Sequence, residues 1–338
     1  MKILVTGGLG FIGSHTVVEL QNEGFDVVVI DNLSNSSEDV LDGIESISGK
    51  RPIFEKMDLR EKDKVRAFFQ KHGDVQGVIH FAASKAVGES VDKPLLYYEN
   101  NLGVLVYLLQ ELTNKENANF IFSSSCTVYG QADKLPITED APVKPAESPY
   151  GNTKQIGEEI IRDTCNVNLN LSAIALRYFN PIGAHPSVEI GELPLGVPQN
   201  LVPFITQTAV GLREQLSVFG DDYPTEDGTC IRDYIHVVDV AKAHVVALKR
   251  LLENKNDGNY EVFNLGTGKG SSVLEVIQSF ERVSGEKLNY QIVDRRSGDV
   301  IQAYADTAKA NKVLGWRAAS SLDDSMKSAW DWEQKVRS

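Results

Sequence analysis

The stretch "VTGGLGFIGSHTVVEL", residues 5–20, follows a short apolar run, "ILV" at 3–5, and leads through a helical pattern into a second apolar run, "VVVI" at 27–30. Gly7, Gly10 and Gly13 fit G-x-x-G-x-x-G at the junction of strand and helix. A glycine pattern alone is weak evidence, but a strand, a helix and a next strand in this order make it a dinucleotide-binding turn. Glycines let the backbone turn tightly and approach a pyrophosphate, while the helix N-terminus offers unpaired N–H groups and a partial positive charge. A tight turn that binds nothing is the plain alternative. The second run ends in Asp31, where a carboxylate accepts hydrogen bonds from both hydroxyls of an adenosine ribose and repels a 2′-phosphate, favouring NAD over NADP. A simple turn residue would also sit there. Asp58 follows a third run, "PIFEKM", and is placed to reach the adenine, although Asp after a strand is common turn chemistry.

Further runs, "VIHF" at 78–81, "FIF" at 120–122 and "LSAIAL" at 171–176, alternate with helical stretches such as "VLVYLLQEL" at 104–112. Nearly continuous apolar strands between helices predict an α/β fold, a Rossmann-type doubly wound parallel sheet covered on both faces. After about residue 180 the alternation loosens into "NPIGAHPSVEIGELPLGVPQN", read as long loops of a smaller C-terminal, substrate-binding α/β lobe. Asp239 is expected to cap a helix "VAKAHVVALKRLL", and "EVFNLGTG" at 261–268 to return the chain to the sheet. The expected division is residues 1–180 plus about 237–265 for the NAD-binding domain, and about 181–236 with 266–338 for the second lobe.

At 338 residues, with 42% hydrophobic and 24% charged residues, the chain is long enough for about two domains' worth of core. A formal charge of −13 argues against nucleic-acid or anionic-membrane partners, so an anionic ligand must be met by local arginines. Cys126, Cys165 and Cys230 are far apart and no C-x-x-C occurs, so neither a disulfide framework nor a metal site is expected. With no basic leader, no apolar h-region and no run of about 18 apolar residues, the chain reads as a soluble cytoplasmic protein.

"SPYGNTK", residues 148–154, places Tyr150 and Lys154 four apart behind a Ser-Pro that can open a helix. Such a pair is often only a Tyr ring packed on a Lys stem. With the glycine turn, Asp31, Ser125 and Tyr150-x-x-x-Lys154 in this order, however, the chain resembles the extended short-chain dehydrogenase/reductase superfamily. Within it the chain is similar to the UDP-glucose 4-epimerase family through "DNLSNS", "HFAASKAVGES", "SSSCTVYG", "RYFNPIGAHPS", "DYPTEDGTCIRDYIHVVDVA" and "FNLGTGKG", which cover nearly its whole length.

The resemblance implies a catalytic group of Ser125, Tyr150 and Lys154. It implies NAD contacts from Gly7, Gly10, Phe11, Ile12, Gly13, Asp31, Asn32, Asn35, Asp58, Leu59, Phe81, Ala82, Lys85, Asn100 and Tyr178, together with the catalytic three. It implies a UDP-sugar held by Asn180, Asn200, Leu201, Phe219, Arg232, Arg296, Asp299 and Ala303, with Lys85, Ser125 and Tyr150 also at the sugar, and it implies a homodimer. The activity implied is C4 epimerisation of UDP-hexoses through a transient 4-keto sugar. For that chemistry Tyr150 is expected to be pulled down about three units from its usual value near 10 by Lys154 and the nicotinamide. Cys126 stands where related sequences often carry a small residue and is read as a packed, inert thiol. Competing readings are a UDP-glucuronate 4-epimerase, a nucleotide-sugar dehydratase and a non-enzymatic NAD sensor. The dehydratases carry an acidic pair after the position of Ser125, where Cys126 and Thr127 stand here, and a sensor would be free to lose the catalytic three. Family members confined to glucose and galactose have a bulky Tyr at the position of Ala303, and those accepting N-acetylated sugars a small residue. A one-residue shift in the comparison would put Tyr304 there instead.

Overall fold

Alternation of side chains along a strand decides how one sheet buries two cores. In the computed structural model, which describes residues 1–296 and 299–338, six parallel strands come first: β1 (Lys2–Thr6), β2 (Asp26–Asp31), β3 (Ile53–Lys56), β4 (Val75–His80), β5 (Ala118–Ser125) and β6 (Leu171–Tyr178). A seventh parallel strand, β7 (Tyr260–Leu265), joins from much later in the chain, giving the order β7-β6-β5-β4-β1-β2-β3. Ile3, Val5, Val27, Val29, Ile79, Ile121 and Ile174 face one core; Leu4, Val28, Ile30, Val78, Phe120, Phe122 and Ala173 face the other. The first core is covered by α1 (Phe11–Asn22) and the second, in part, by α2 (Pro149–Val167). The strand order reverses between β1 and β4, so the ligand crevice of such a sheet opens at their carboxyl ends.

The return of the chain is built by α3 (Val237–Leu252), which packs on α1 in the first core, followed by β7. The expected cap is corrected: His236 is the N-cap, its Nδ1 accepting the Val238 N–H at 3.1 Å. Asp239 lies inside the first turn, and its carboxylate accepts the N–H groups of Ala319 and Ser320 at 3.0 and 2.9 Å. An imidazole held neutral by burial serves as the cap, which leaves the acid free to tie down the C-terminal segment.

The remaining chain is more regular than a set of loops. Helices Leu201–Ala209, Val273–Ser284 and α4 (Leu322–Arg337) enclose a separate core of Val202, Ile205, Leu216, Val218, Phe280, Met326 and Trp330. Two small sheets edge it: Leu216–Phe219 runs parallel to Tyr290–Val293, and Ile231–Arg232 lies between Ser271–Ser272 and Gln302–Ala303. These strands are two to four residues long, too short for alternation along the sequence to mark them.

Three histidines make the fold acid-sensitive. Burial pulls His15 and His80 down to about 3 and His244 to about 4. Below pH 6.5 the unfolded chain binds three protons that the folded chain refuses, so stability falls as pH falls, by about 4 kcal/mol per pH unit at 1.36 kcal/mol for each group. Melting temperatures are expected to drop roughly 5–10 °C between pH 6 and 5, judged from the usual shift per kcal/mol. A flat melting profile over that interval would overturn this assignment.

Candidate active site

The glycine turn is shaped by contacts that leave no room for a side chain. Gly7 sits at φ +66°, and a Cβ there would lie 2.8 Å from the Ala82 nitrogen. A Cβ on Gly13 would lie 2.2 Å from the Gly7 carbonyl oxygen, so α1 starts hard against the turn. Gly10 caps α1 without any side-chain hydrogen bond, leaving the first-turn N–H groups to an anion. These features fit the pyrophosphate of a dinucleotide. Phe11 and Ile12 begin α1, with Phe11 edge-on to the His15 ring at 5.5 Å.

Asp31 ends β2 almost fully buried, and its oxygens accept the N–H of Leu9 (3.1 Å), the N–H of Leu33 (2.9 Å) and the Ser36 hydroxyl (2.9 Å). A carboxylate offers about four lone-pair sites, so this arrangement leaves about one for a ribose hydroxyl rather than the two expected. Its charge still opposes a 2′-phosphate. Asn32 donates to Asp58 at 3.4 Å, and Arg60 grips the same carboxylate at 2.7 Å, holding Asp58 down at about 2. Asn35 is exposed nearby. The Leu59 side chain is buried in the second core, so contact with an adenine would fall to its backbone. Phe81 lies on His244 (4.7 Å between ring centres), and the Ala82 N–H faces the Thr6 hydroxyl at 3.4 Å. Asn100 donates to Ser84 at 3.1 Å from a short π-helical turn, Glu99–Gly103.

At the end of β5, Ser125 turns the chain into Cys126–Tyr129, its hydroxyl accepting the Thr127 N–H at 3.2 Å and acting to favour the ionised form of the Tyr150 phenol. Tyr150 and Lys154 sit one turn apart in α2, whose start is set by Ser148 as cap and Pro149 as first residue. Lys154 is buried, donates to the Ser123 carbonyl at 2.6 Å and places its Nζ 5.7 Å from the Tyr150 ring centre. Tyr178, the last residue of β6, hydrogen-bonds Ser123.

The electrostatics correct one expectation. Burial pushes Tyr150 well above its ordinary value, with Tyr178 and Cys126 acting in the same direction, whereas a downward shift was expected. Burial also pulls Lys154 down to about 8 against the opposing pull of Glu158. Desolvation dominates both groups, and the ammonium spends its hydrogen bond on the Ser123 carbonyl. Burial pushes the Cys126 thiol up to about 12, in keeping with an inert side chain.

Across the cleft, Asn180 donates its N–H to the Asp233 carbonyl at 3.0 Å. Asn200 caps Leu201–Ala209 without bonding its backbone; its amide goes instead to Glu192 at 2.7 Å, and Leu201 follows partly buried. Phe219, Arg232, Arg296, Asp299 and Ala303 gather from three segments. Arg296 stacks over Phe219 at 4.6 Å and pairs with Asp299 at 3.0 Å; Arg232 lies 3.7 Å from the same carboxylate; Ala303 pairs with Arg232 across the small sheet. Among the described residues no group of three or more His, Cys, Asp or Glu is placed to hold a metal ion.

The family model described as NAD dependent epimerase/dehydratase matches residues 3–266. The chain belongs to this family. As a member of the NAD dependent epimerase/dehydratase family, it is 50% identical over 333 residues to the UDP-glucose 4-epimerase of Bacillus subtilis (strain 168), covering 98% of this chain and 97% of that protein. A crystal structure of UDP-glucose-4-epimerase from Stenotrophomonas maltophila, with bound NAD and formylated UDP-arabinopyranose, superposes with TM-score 0.95 at 45% identity, covering 100% of this chain and 99% of that one. That of Bifidobacterium longum, in complex with NAD+ and UDP, does so with TM-score 0.93 at 45% identity and the same coverage.

Several residues of this NAD dependent epimerase/dehydratase family member were not singled out from sequence. Asn101 accepts the Ser84 N–H at 2.8 Å and donates to Thr153 at 3.1 Å, tying the Lys85 loop to α2. Glu158 is held by Arg177 through two hydrogen bonds and accepts from Ser124. Its position four after Lys154, on the same helical face, was a usable signal. Asp233, fully buried, accepts N–H groups from Thr267, Gly268 and Ala305. Nothing in the local sequence marked Glu192.

Proposed function

We propose that the chain is an isomerase that interconverts UDP-glucose and UDP-galactose by transient oxidation at sugar C4, and that it also interconverts UDP-GlcNAc and UDP-GalNAc. The observation that carries the reading is Tyr150 one helical turn from the buried Lys154, with buried Ser125 ending β5, at the carboxyl edge of the sheet whose β1 leads into the glycine turn. NAD, held by Gly7, Gly10, Gly13 and Asp31, would take up the C4 hydride as the hydroxyl proton leaves and would give the hydride back to the other face of the ketone.

The rest belongs to the chain. Pulling a proton directly from C4 would leave a carbanion with no neighbouring carbonyl, so C4 is inverted through a ketone, for which the 4-hydroxyl must lose its proton as C4 loses a hydride. Tyr150 takes it, with Ser125 hydrogen-bonded to the same sugar oxygen as a relay. Burial, which raises the phenol, makes the phenolate a strong base once formed; Lys154, protonated at pH 7 with a value near 8, favours that ionised form. The 4-ketopyranose then turns over, and the proton returns to the opposite face's alkoxide from the same tyrosine. Arg232 and Arg296 hold the diphosphate, supplying affinity remote from the reacting ring, which stays free to rotate.

The N-acetyl activity is supported by the side of the small strand on which Ala303 lies. It packs toward Val128, Tyr129 and Phe179, whereas Tyr304 lies against Gly270. The neighbouring tyrosine therefore does not stand in for the missing bulk. A homodimer belongs to the same reading, and Val87, Val91 and Leu95, exposed on the two consecutive short helices Val87–Asp92 and Pro94–Tyr98, support it.

Incubating the purified protein separately with UDP-galactose, UDP-GlcNAc and UDP-glucuronate tests the reading. Turnover of the first two without added cofactor is expected, with NAD released on denaturation. Turnover of UDP-glucuronate alone, or a requirement for exchangeable NADP, would overturn it.

A further inference from the structure

Lys154 is the only buried lysine among the described residues. One N–H of its ammonium goes to the Ser123 carbonyl at 2.6 Å, and the nitrogen lies 4.9 Å from the centre of the Phe122 ring, nearer than the 5.7 Å to the ring of Tyr150. Phe122 precedes Ser123 on β5, is buried, and is wedged in place. A Cβ on Gly157 of α2 would lie 2.9 Å from the tip of that ring and 3.4 Å from Leu105, so the absence of a side chain lets the helix carrying Lys154 come down onto Phe122. The His80 ring of β4 stacks on Phe122 at 6.2 Å. Three titratable groups face the ammonium. Tyr150 and Glu158 lie one turn to either side along α2, with Glu158 favouring the charge, and His80 is held neutral by burial and by the cation itself.

We propose that Phe122 is a positioning residue for the reaction, its ring face holding the shared proton of the Tyr150–Lys154 pair on the lysine. A cation over the face of a desolvated ring is attracted by the ring's quadrupole, and a neutral amine gains nothing comparable. With one proton removed, the pair has two forms. In one, Lys154 is an ammonium and Tyr150 a phenolate able to take the sugar's proton; in the other, the same proton sits on the phenol and Lys154 is an amine, so no base is present. Whatever favours the ammonium therefore enlarges the reactive share. Burial opposes both charges of that share, and the aromatic face restores part of what the lysine loses with its water. The inference rests on the reading of Tyr150 as the base.

The test replaces Phe122, in the NAD-loaded enzyme, by phenylalanines bearing one, two and three ring fluorines, which drain the face of negative potential and nearly keep its shape. With UDP-galactose, kcat is expected to fall stepwise, about tenfold by the third fluorine, while KM, bound NAD and melting temperature stay near wild type. Phe122→Leu is expected to lose about as much in kcat. In a Lys154→Met background the same Phe122→Leu change is expected to cost less than about twofold more, because its effect passes through the missing ammonium. The same fluorines placed at Phe120, stacked 6.5 Å beyond Phe122 in the same core, should leave kcat unchanged. A flat series at position 122, or an equal loss at position 120, overturns the role given to Phe122. Tyr150→Phe separates that failure from failure of the base. If it turns over like wild type, the underlying reading of Tyr150 falls; if it is slow while the fluorine series at position 122 is flat, that reading stands and the role of Phe122 alone is lost.

Discussion

Tyr150→Phe is expected to lower kcat for UDP-galactose by roughly two decades or more, the usual reach of a general base, while NAD content and melting temperature stay near wild type. Phe fills the same volume, and among the described residues the phenol oxygen makes no hydrogen bond that the fold would lose. The sugar loses the one group able to take its 4-hydroxyl proton, because Lys154 is spoken for by the Ser123 carbonyl. Lys154→Met in an otherwise normal enzyme should move the rising limb of the pH profile upward, since the phenolate forms at higher pH once its neighbouring cation is gone. Steady-state kinetics from pH 6 to 10 on both variants decide the matter. Wild-type turnover in Tyr150→Phe would sink the mechanism.

Ala303→Tyr is expected to suppress UDP-GlcNAc turnover by about a hundredfold and leave UDP-galactose within a fewfold, because a steric block of this kind discriminates by several kcal/mol only against the larger substrate. The strand Gln302–Ala303 is pinned in register by the Asp233 N–H to the Ala303 carbonyl at 3.0 Å, and by the Asp233 carboxylate to the Ala305 N–H at 3.1 Å. A ring introduced there cannot slide away by a shift of register without breaking both. Equal losses on the two substrates would mean that the residue shapes the fold and not the pocket.

The sheet was legible because most of its strands carry a short apolar run and are buried: β5 and β6 have eight residues each, almost wholly buried. The glycine turn and the Tyr150, Lys154 pair were legible because each depends on neighbours in sequence. The sugar side was not legible in that way. Arg232 and Ala303 meet through a three-stranded sheet whose strands are two residues long, too short for any periodicity to announce. The positions there came from family resemblance, and what they touch came from the structure. The upward push on Tyr150 was not legible for a related reason: sequence shows the cation four residues away, while desolvation depends on the whole surrounding fold. His236 was passed over as a helix cap because capping by an imidazole requires it to be neutral, a condition set by burial.

The late return of the chain to its own sheet bears on how the molecule is made. The face carrying Ile3, Val5, Ile79, Ile121 and Ile174 shares its core with Val240, Ala243, Leu248, Phe263 and Leu265, which are synthesised long after β6. At about 5–20 residues per second, a ribosome takes roughly 4–17 seconds to go from the end of β6 to the end of β7. Throughout that time β6 is an open edge over a half-covered apolar layer. The nascent cofactor half is thus complete in its binding residues and incomplete in its core, and holding it soluble until the missing helix and strand emerge is a task for whatever meets the chain at the exit of the ribosome.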